Sequence, residues 1–446
     1  MKMKTISLGV LLVLSSSIAL TGCGSQSAAQ STTNPTTSSA NIASTSSSTP
    51  VQVTFWEGMS GQLGQVLQQM VQKFNATHPG IHVNAVYQGS YSGDGPLQEK
   101  LMAAIASGKV PDMVQLEIHS TPLFASSGAL QPLDSYMASS KNDQKSDFLP
   151  GLLNNTSYQG TTYGIPFNRS VPVLYYNPTL FAAAHIQTAP ATWAQLAQDA
   201  AKLTKKSNGT TSVYGFEPVN QWWFFESLVW SDGGHLLNPT LTEATFDTPQ
   251  AEAGMKLWQT MQSQGTLAVN AGPNEWTQTI EDFGHGRTAM YIGSAGDMGQ
   301  IAQTGVTYRT AFMPKFTQYA VPTGGANAVI MQKAPAAQKA AAWTFIKWFT
   351  SVPQTIEWSE QTGYLPVKQA ALSAPALTSY YAQHPNHKVP VEELAYAKQA
   401  PLSPDYLQVY QYIQDAMDQI MDSQTPVSTA LHQAVQKSDQ ALSQPQ

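Results

Sequence analysis

The sequence predicts an α/β protein of two lobes, each a mostly parallel sheet flanked by helices, followed by a helical C-terminal region. Three observations predict this. Apolar residues switch between a period of two and a helical period several times over residues 51–118, and again beyond residue 163. Strand–helix–strand order at such spacing implies parallel strands joined by right-handed crossovers. The 446 residues, 42% hydrophobic and 10% aromatic, supply core for more than one domain.

The first segment stands apart from that pattern. Lys2 and Lys4 precede an apolar run from Ile6 to Leu20, too short to span a bilayer comfortably, which ends in Leu20-Thr21-Gly22-Cys23. Residues 1–22 therefore read as a secretory signal. Cys23 is the single cysteine, so it forms no internal disulfide. It sits where the lipoprotein signal pattern places its lipid-modified residue. The alternative, a buried core thiol, fits poorly between a signal and a Ser/Thr tract. Residues 23–50 are nearly all Ser, Thr, Ala, Gln and Asn and are expected to form a flexible tether, because such a segment buries too little to offset its ordering entropy. The expected location is the outer face of the cytoplasmic membrane, by a lipid anchor at Cys23.

Charged residues make up 11% of the chain, against about 25% in ordinary soluble proteins. An acidic external medium and a simple Gln/Ser/Thr habit account for this equally well. Loss of Lys2 and Lys4 with the signal takes the formal charge from −6 to −8, so no basic footprint for nucleic acid or an anionic membrane surface exists.

At Val51 the texture changes. Val51-Gln52-Val53-Thr54-Phe55 alternates as a strand, and Leu63, Val66, Leu67, Met70, Val71 and Phe74 follow at helical spacing, stopping near His78-Pro79-Gly80. Ile81, Val83, Ala85 and Tyr87 alternate again. Leu97 to Ala106 reads as a helix and Met113 to Ile118 as an apolar strand. A strand is predicted at Val173 to Tyr176 and a helix from the N-cap Thr192 through Leu203. Asp247-Thr248-Pro249 opens another helix, with proline at the first-turn position that tolerates it. Strands at Thr288 to Ile292 and Ala326 to Met331 precede an amphipathic helix from Ala336 to Phe349. The expected lobes are 51–165 with 295–331, and 166–294 with 332–446. Ligands of open parallel sheets bind beyond the carboxyl ends of the strands, so two facing lobes define one cleft that hinge closure can shut.

Several motifs resemble a known family. Phe55-Trp56-Glu57-Gly58-Met59, Phe74-Asn75, Pro79 and Gly108-Lys109-Val110-Pro111-Asp112 resemble the opening of family 1 extracellular solute-binding proteins of ABC importers. Tyr163-Gly164-Ile165-Pro166-Phe167-Asn168, Val173-Leu174-Tyr175-Tyr176-Asn177, Thr192-Trp193, Phe246-Asp247, Gly286-Arg287-Thr288-Ala289-Met290 and Thr362-Gly363-Tyr364-Leu365-Pro366 continue the match in order. The look is closest to the sn-glycerol-3-phosphate-binding subgroup. The resemblance implies a type II periplasmic-binding-protein-like fold and no catalysis. It also implies a sugar, polyol or glycerol phosphate ester as ligand, and a permease with a separate ATPase as partner. A monomer without cofactor, metal or nucleic acid is expected. By the same resemblance the cleft residues fall on Tyr91, Ser170, Ser294, Gly324 and Tyr364, with Glu117 at the acidic position and Trp222 and Trp223 as stacking aromatics.

One departure stands out. The family's phosphate-reading arginine lies in the last helical segment, where Leu402 to Val409 here carries none; Arg169, Arg287 and Arg309 are the only arginines. Bidentate arginine is the usual reader of a phosphate ester. Either Arg169 replaces it from across the cleft or the ligand is an uncharged sugar or polyol; a charge-masked phosphodiester is a third option.

Polyol ligands need flat aromatic faces for C–H groups and convergent polar groups for hydroxyls. Trp56, Tyr91, Trp222, Trp223 and Tyr364 supply the faces, and Glu117, Asn168, Ser170 and Ser294 the hydrogen bonds. Each has a plainer reading. One tryptophan of Trp222-Trp223 is core, Trp56 packs beneath the site, Glu117 pairs with Arg169, and Ser170 and Ser294 cap turns. Tyr364 is set by Gly363 and Pro366 in a loop that projects it.

The enzyme alternative is a secreted carbohydrate-active hydrolase, which needs a facing carboxylate pair; Asp94, Glu117, Glu217, Glu226 and Asp232 qualify by type, but no spacing selects two of them. The sequence lacks His-Glu-x-x-His, a phosphate-binding Gly-x-x-x-x-Gly-Lys-Ser/Thr and Gly-x-Ser-x-Gly, so ATP hydrolysis would fall to a partner. A structural surface lipoprotein would more naturally be repetitive and all-β.

Overall fold

Alternation over Val51–Glu57 forms strand β1, with Val53 and Phe55 buried on one face and Trp56 turned to the other. The computed structural model describes residues 49–92, 95–272 and 274–443. The predicted signal over 1–22, Cys23, all of the tether but its last two residues, and Asp94 lie outside the described residues.

Helix α1 (Gly61–Thr77) buries Val66, Leu67, Met70, Val71 and Phe74, the predicted stripe less the half-buried Leu63. Strand β2 (Ile81–Tyr87), helix α2 (Pro96–Ser107) and the fully buried β3 (Met113–Glu117) follow. Strand β4 (Gly164–Ser170) runs into β5 (Pro172–Tyr176) with Val171 alone between them. Helix α3 (Trp193–Leu203) starts with a reciprocal cap: Thr192 Oγ1 accepts from Gln195 N–H, and Gln195 Oε1 accepts from Thr192 N–H. The remaining elements used below are β6 (Glu217–Pro218), α4 (Trp222–Ser231), α5 (Pro249–Ser263), α6 (Glu275–Gly284), β7 (Met290–Ser294), β8 (Arg309–Ala311), β9 (Gly324–Ile330), α7 (Ala336–Phe349), α8 (Val352–Thr362), α9 (Tyr406–Met421) and α10 (Val427–Leu442).

The first sheet has the order β2-β1-β3-β9-β4 and the second β6-β7-β5-β8. In each, one strand runs against the rest: β9 in the first and β5 in the second. This is the predicted pair of mostly parallel sheets. Helices α1 and α7 cover one face of the first sheet, where Phe55 meets Phe167 at 5.8 Å and Phe345 at 6.0 Å. On the other face Leu97 and Leu101 of α2 join Val114, Leu116 and Val329 in a separate core. Around the second sheet Trp193, Phe216 and Trp258 lie mutually 6.2 Å apart, joining α3 and α5 to the segment before β6. Helices α9 and α10 pack on each other and on α5, and α9 also on α4.

Sheet membership divides the chain differently from the expected boundaries. All of β4 belongs to the first sheet and β8 to the second. Helix α7 packs on β1, β2 and β9, because Phe345, Ile346 and Phe349 present an apolar face that Phe55, Phe74 and Phe167 complete. A helix's stripe shows that it covers a sheet but not which one. Two strands also start two residues from the expected positions: the predicted strand at 288 runs over Met290–Ser294, and that at 326 begins at Gly324.

The link through Val171 positions the site. Strand β4 delivers its carboxyl end straight to the start of β5, the reversed strand, which lies at the carboxyl ends of β6, β7 and β8. The strand-end edges of the two sheets are therefore brought together, with Ser170 on one side, paired to Gly324, and Ser294 on the other, paired to Pro172.

Candidate functional site

At the ends of the first sheet a polar relay crosses five chain segments. Gly58 N–H donates to Gln115 Oε1 at 2.8 Å, and Gln115 Nε2 donates to Asn168 Oδ1 at 2.9 Å. Asn168 Nδ2 donates to the Tyr91 hydroxyl at 3.1 Å, which meets the Tyr364 hydroxyl at 3.4 Å. Register explains the meeting. Glu117 and Asn168 flank Ala326 on the two sides of β9, and β4 carries Phe167 as an extra residue just before Asn168. Leu365 N–H bonds Arg169 O at 2.8 Å, so the turn after α8 lays Tyr364 along the end of β4. Tyr364 is 5% exposed, its ring parallel to Trp358 at 5.8 Å, and burial pushes both tyrosine hydroxyls above their usual range. It is a buried platform rather than a projecting side chain.

The second sheet supplies the opposite wall. A Cβ built on Gly296 would lie 2.6 Å from Tyr364 Cζ, so only glycine allows this approach. Ser294 Oγ accepts from Gly296 N–H, and Asp297 Oδ2 accepts from Ser294 N–H at 2.8 Å: the turn-capping reading of Ser294 is the observed one. Asp297 also accepts from the Tyr291 hydroxyl and Trp276 Nε1. Burial raises its carboxyl to about 7. Trp276 lies 6.4 Å from Trp223 at 25° between planes. Trp223 in turn abuts Gly324, whose added Cβ would stand 2.4 Å from Trp223 Cζ2 and 3.0 Å from Ser170 Oγ. Contacts thus run unbroken from Tyr91 through Tyr364, Gly296, Asp297, Trp276 and Trp223 to Gly324 and Ser170.

Other predicted residues fall elsewhere. Arg169 is fully buried and faces away from the relay. Its Nε donates to Gly324 O, Nη1 to Leu152 O and Asn327 Oδ1, and Nη2 to Thr323 Oγ1. Desolvation lowers its guanidinium to about 9. The expectation that it reads a ligand is corrected: strand alternation sends Asn168 and Ser170 to one face and Arg169 to the other. Nor does Glu117 pair with Arg169. Its oxygens accept from His119 Nδ1 at 2.6 Å and from the backbone N–H groups of His119 and Ser120. Trp222 is buried outside that chain of contacts, stacked on Tyr410 at 4.1 Å and edge-on to His119 at 5.0 Å. Trp56 packs with the core beneath α2.

Gln115, Asp297 and Trp276 were not singled out from the sequence. Ser294-x-x-Asp297 is a capping-box spacing, which signals the acid, and Gln115 is a polar residue inside an apolar strand. Nothing in the sequence around Trp276 marks it. An open groove of about 650 Å³ between Gln62, Tyr308, Arg309, Tyr380 and His384 contains none of the predicted residues. Its lining includes exposed Gln383 and His384 rather than convergent buried groups.

Residues 69–388 match the bacterial extracellular solute-binding protein family. The chain is 24% identical over 414 residues to the sn-glycerol-3-phosphate-binding periplasmic protein UgpB of Escherichia coli, covering 87% of this chain and 92% of the relative. Its fold is similar to an ABC transporter solute-binding protein of Thermotoga lettingae bound with α-D-tagatose, at a TM-score of 0.78 and 22% identity over 88% of this chain and 100% of that one. It is also similar to UgpB of Mycobacterium tuberculosis in complex with glycerophosphocholine, at 0.77 and 24% over 89% and 98%.

Proposed function

The chain belongs to the bacterial extracellular solute-binding protein family, and on that premise we propose that it captures a hydroxyl-rich solute between the strand ends of its two sheets. The solute class is a sugar, polyol or glycerol phosphate ester, delivered to the permease of an ABC importer whose ATPase is a separate subunit. Members of the family bind solutes; they do not transform them.

The observation that carries this reading is the convergence of aromatic rings and neutral polar groups from both sheets. Tyr91, Asn168, Ser170, Gly324 and Tyr364 come from the first side, and Trp223 and Trp276 from the second, with Gly296 and Asp297 closing the wall. Aromatic faces accept sugar C–H groups, and amide and hydroxyl side chains match ligand hydroxyls without fixing a charge. Ser294 positions the turn that carries Gly296. Two lobes organised on the two sheets, hinged through Val171, would open and close this space. Lipidation of Cys23 would hold the body at the outer membrane face, within reach of the permease.

A thermal-shift screen of the purified protein tests the reading. A sugar or polyol at a hundred times its Kd should stabilise the fold by about 2.7 kcal/mol. Failure of every carbohydrate and glycerol derivative to raise the midpoint would remove it.

A further inference from the structure

We propose that His119 and Glu226 form a hydroxyl-reading subsite between the two halves, so that the cleft selects uncharged polyols and rejects their phosphate esters. The inference rests on the solute-binding reading above and narrows its ligand class.

His119 follows β3 of the first sheet and is 1% exposed; Glu226 lies in α4, which packs on α5 and α9, and is fully buried. Tyr406 of α9 touches both, with its hydroxyl 2.5 Å from Glu226 Oε1 and its ring 5.8 Å from His119. Each has one atom in use and one spare. Glu117 holds His119 Nδ1, while His119 Nε2 and Glu226 Oε2 are buried without a hydrogen-bond partner among the described residues. Such orphaned atoms cost about 1–3 kcal/mol each, and protein interiors seldom leave them unmet.

The two groups lie in each other's field, and the other charged groups facing them are Glu117 on both and Arg169 on His119. With one proton shared between imidazole and carboxyl, one spare atom is a donor and the other an acceptor, whichever holds the proton. A hydroxyl both accepts and donates, so it satisfies either arrangement. A phosphate dianion only accepts, and it would bring negative charge beside Glu117 and Glu226. Arg169, the one guanidinium nearby, spends its donors on Gly324, Leu152, Asn327 and Thr323.

Calorimetry on the purified full chain tests this, using glycerol, glucose, maltose and trehalose, each beside its phosphate monoester. At least one neutral member should bind, with its ester about a hundredfold weaker or more. Glu226→Met should weaken that neutral ligand about tenfold, and Glu226→Gln, which keeps a hydrogen-bonding group there, should restore most of the loss. A phosphate ester binding as tightly as its parent overturns the subsite and leaves solute binding intact. A folded Glu226→Met protein with Kd within about twofold of the parent means that a trapped water alone fills the gap, and also overturns it. Should Glu226→Met fail to fold, the neutral-to-ester ratio of the unaltered chain decides. Any ligand found in the thermal-shift screen joins the panel with its ester, and binding of nothing in panel or screen overturns the solute reading and this inference together.

Discussion

The hydroxyls of Tyr91 and Tyr364 meet at 3.4 Å although 273 positions separate them in the chain. One closes the loop after β2 and the other the turn after α8, and Asn168 at the end of β4 bonds the first. Three remote segments are thereby fixed at the edge where the sheets approach each other.

Tyr364→Phe removes the hydroxyl contact but keeps the stack on Trp358 and the fit beneath Gly296. Stability should fall by about 1 kcal/mol or less, while affinity for the bound polyol drops about tenfold. Titration calorimetry beside a melting curve separates the two effects. Equal affinity in the variant would exclude this hydroxyl from the ligand site.

Gly324→Ala places a methyl carbon 2.4 Å from Trp223 Cζ2. Overpacking of this kind costs about 1–3 kcal/mol, which should appear as affinity lost about 10- to 100-fold because the clash falls where the two sides meet. An alanine variant that binds as well as the parent would show that Trp223 need not approach Gly324 for binding.

Arg169→Lys tests the structural role assigned above. Lysine cannot reproduce a planar fork that serves two carbonyls and two side-chain oxygens, so the variant should lose about 3 kcal/mol or more and melt markedly lower. A variant with an unchanged melting point and abolished binding would make Arg169 a ligand reader after all.

What the sequence disclosed, and what it withheld, follows from which interactions are local. The strand and helix periods, the Thr192 and Thr248 caps and the order of the motifs are set by near neighbours, and they placed β1 to β3 and α3 within a residue or two. Tyr91, Ser170, Gly324 and Tyr364 were likewise legible by resemblance and do converge. Arg169 misled because a one-residue difference in strand register decides whether a side chain meets ligand or core. Glu226 stood out in the sequence only as one carboxylate among several, because its neighbour Tyr406 lies 180 positions away and His119 lies 107 away. Which sheet α7 covers, and that β8 crosses to the second sheet, are likewise matters of long-range packing.

Burial raises the carboxyls of Glu226 and Asp297 to about 7 and of Glu217 to about 8, from ordinary values of 4.5, 3.8 and 4.5. A carboxyl raised in the folded state keeps its proton there while the unfolded chain has lost it. Stability is therefore full below the ordinary values and is lost as pH rises through the folded ones. His119, also raised, acts in the same direction, whereas His387, lowered from 6.5 to about 4, opposes it below 6.5. From about pH 6.5 to 8 His387 no longer opposes the loss, so the urea midpoint should fall there and level off above about pH 8, where the folded carboxyls have also lost their protons. Glu226→Gln and Asp297→Asn together should flatten that slope, and an equally steep slope in the double variant would contradict the assignment.

Hydrogen exchange read by mass spectrometry, with and without the tightest-binding sugar of the screen, tests the shared cleft most directly. Ligand should slow exchange together at residues 89–92, 168–170, 294–298, 322–326 and 362–365, drawn from both sheets. Protection confined to the groove beside Tyr308 and His384, or to segments of one sheet alone, would contradict a binding site built where the two sheets' strand ends meet.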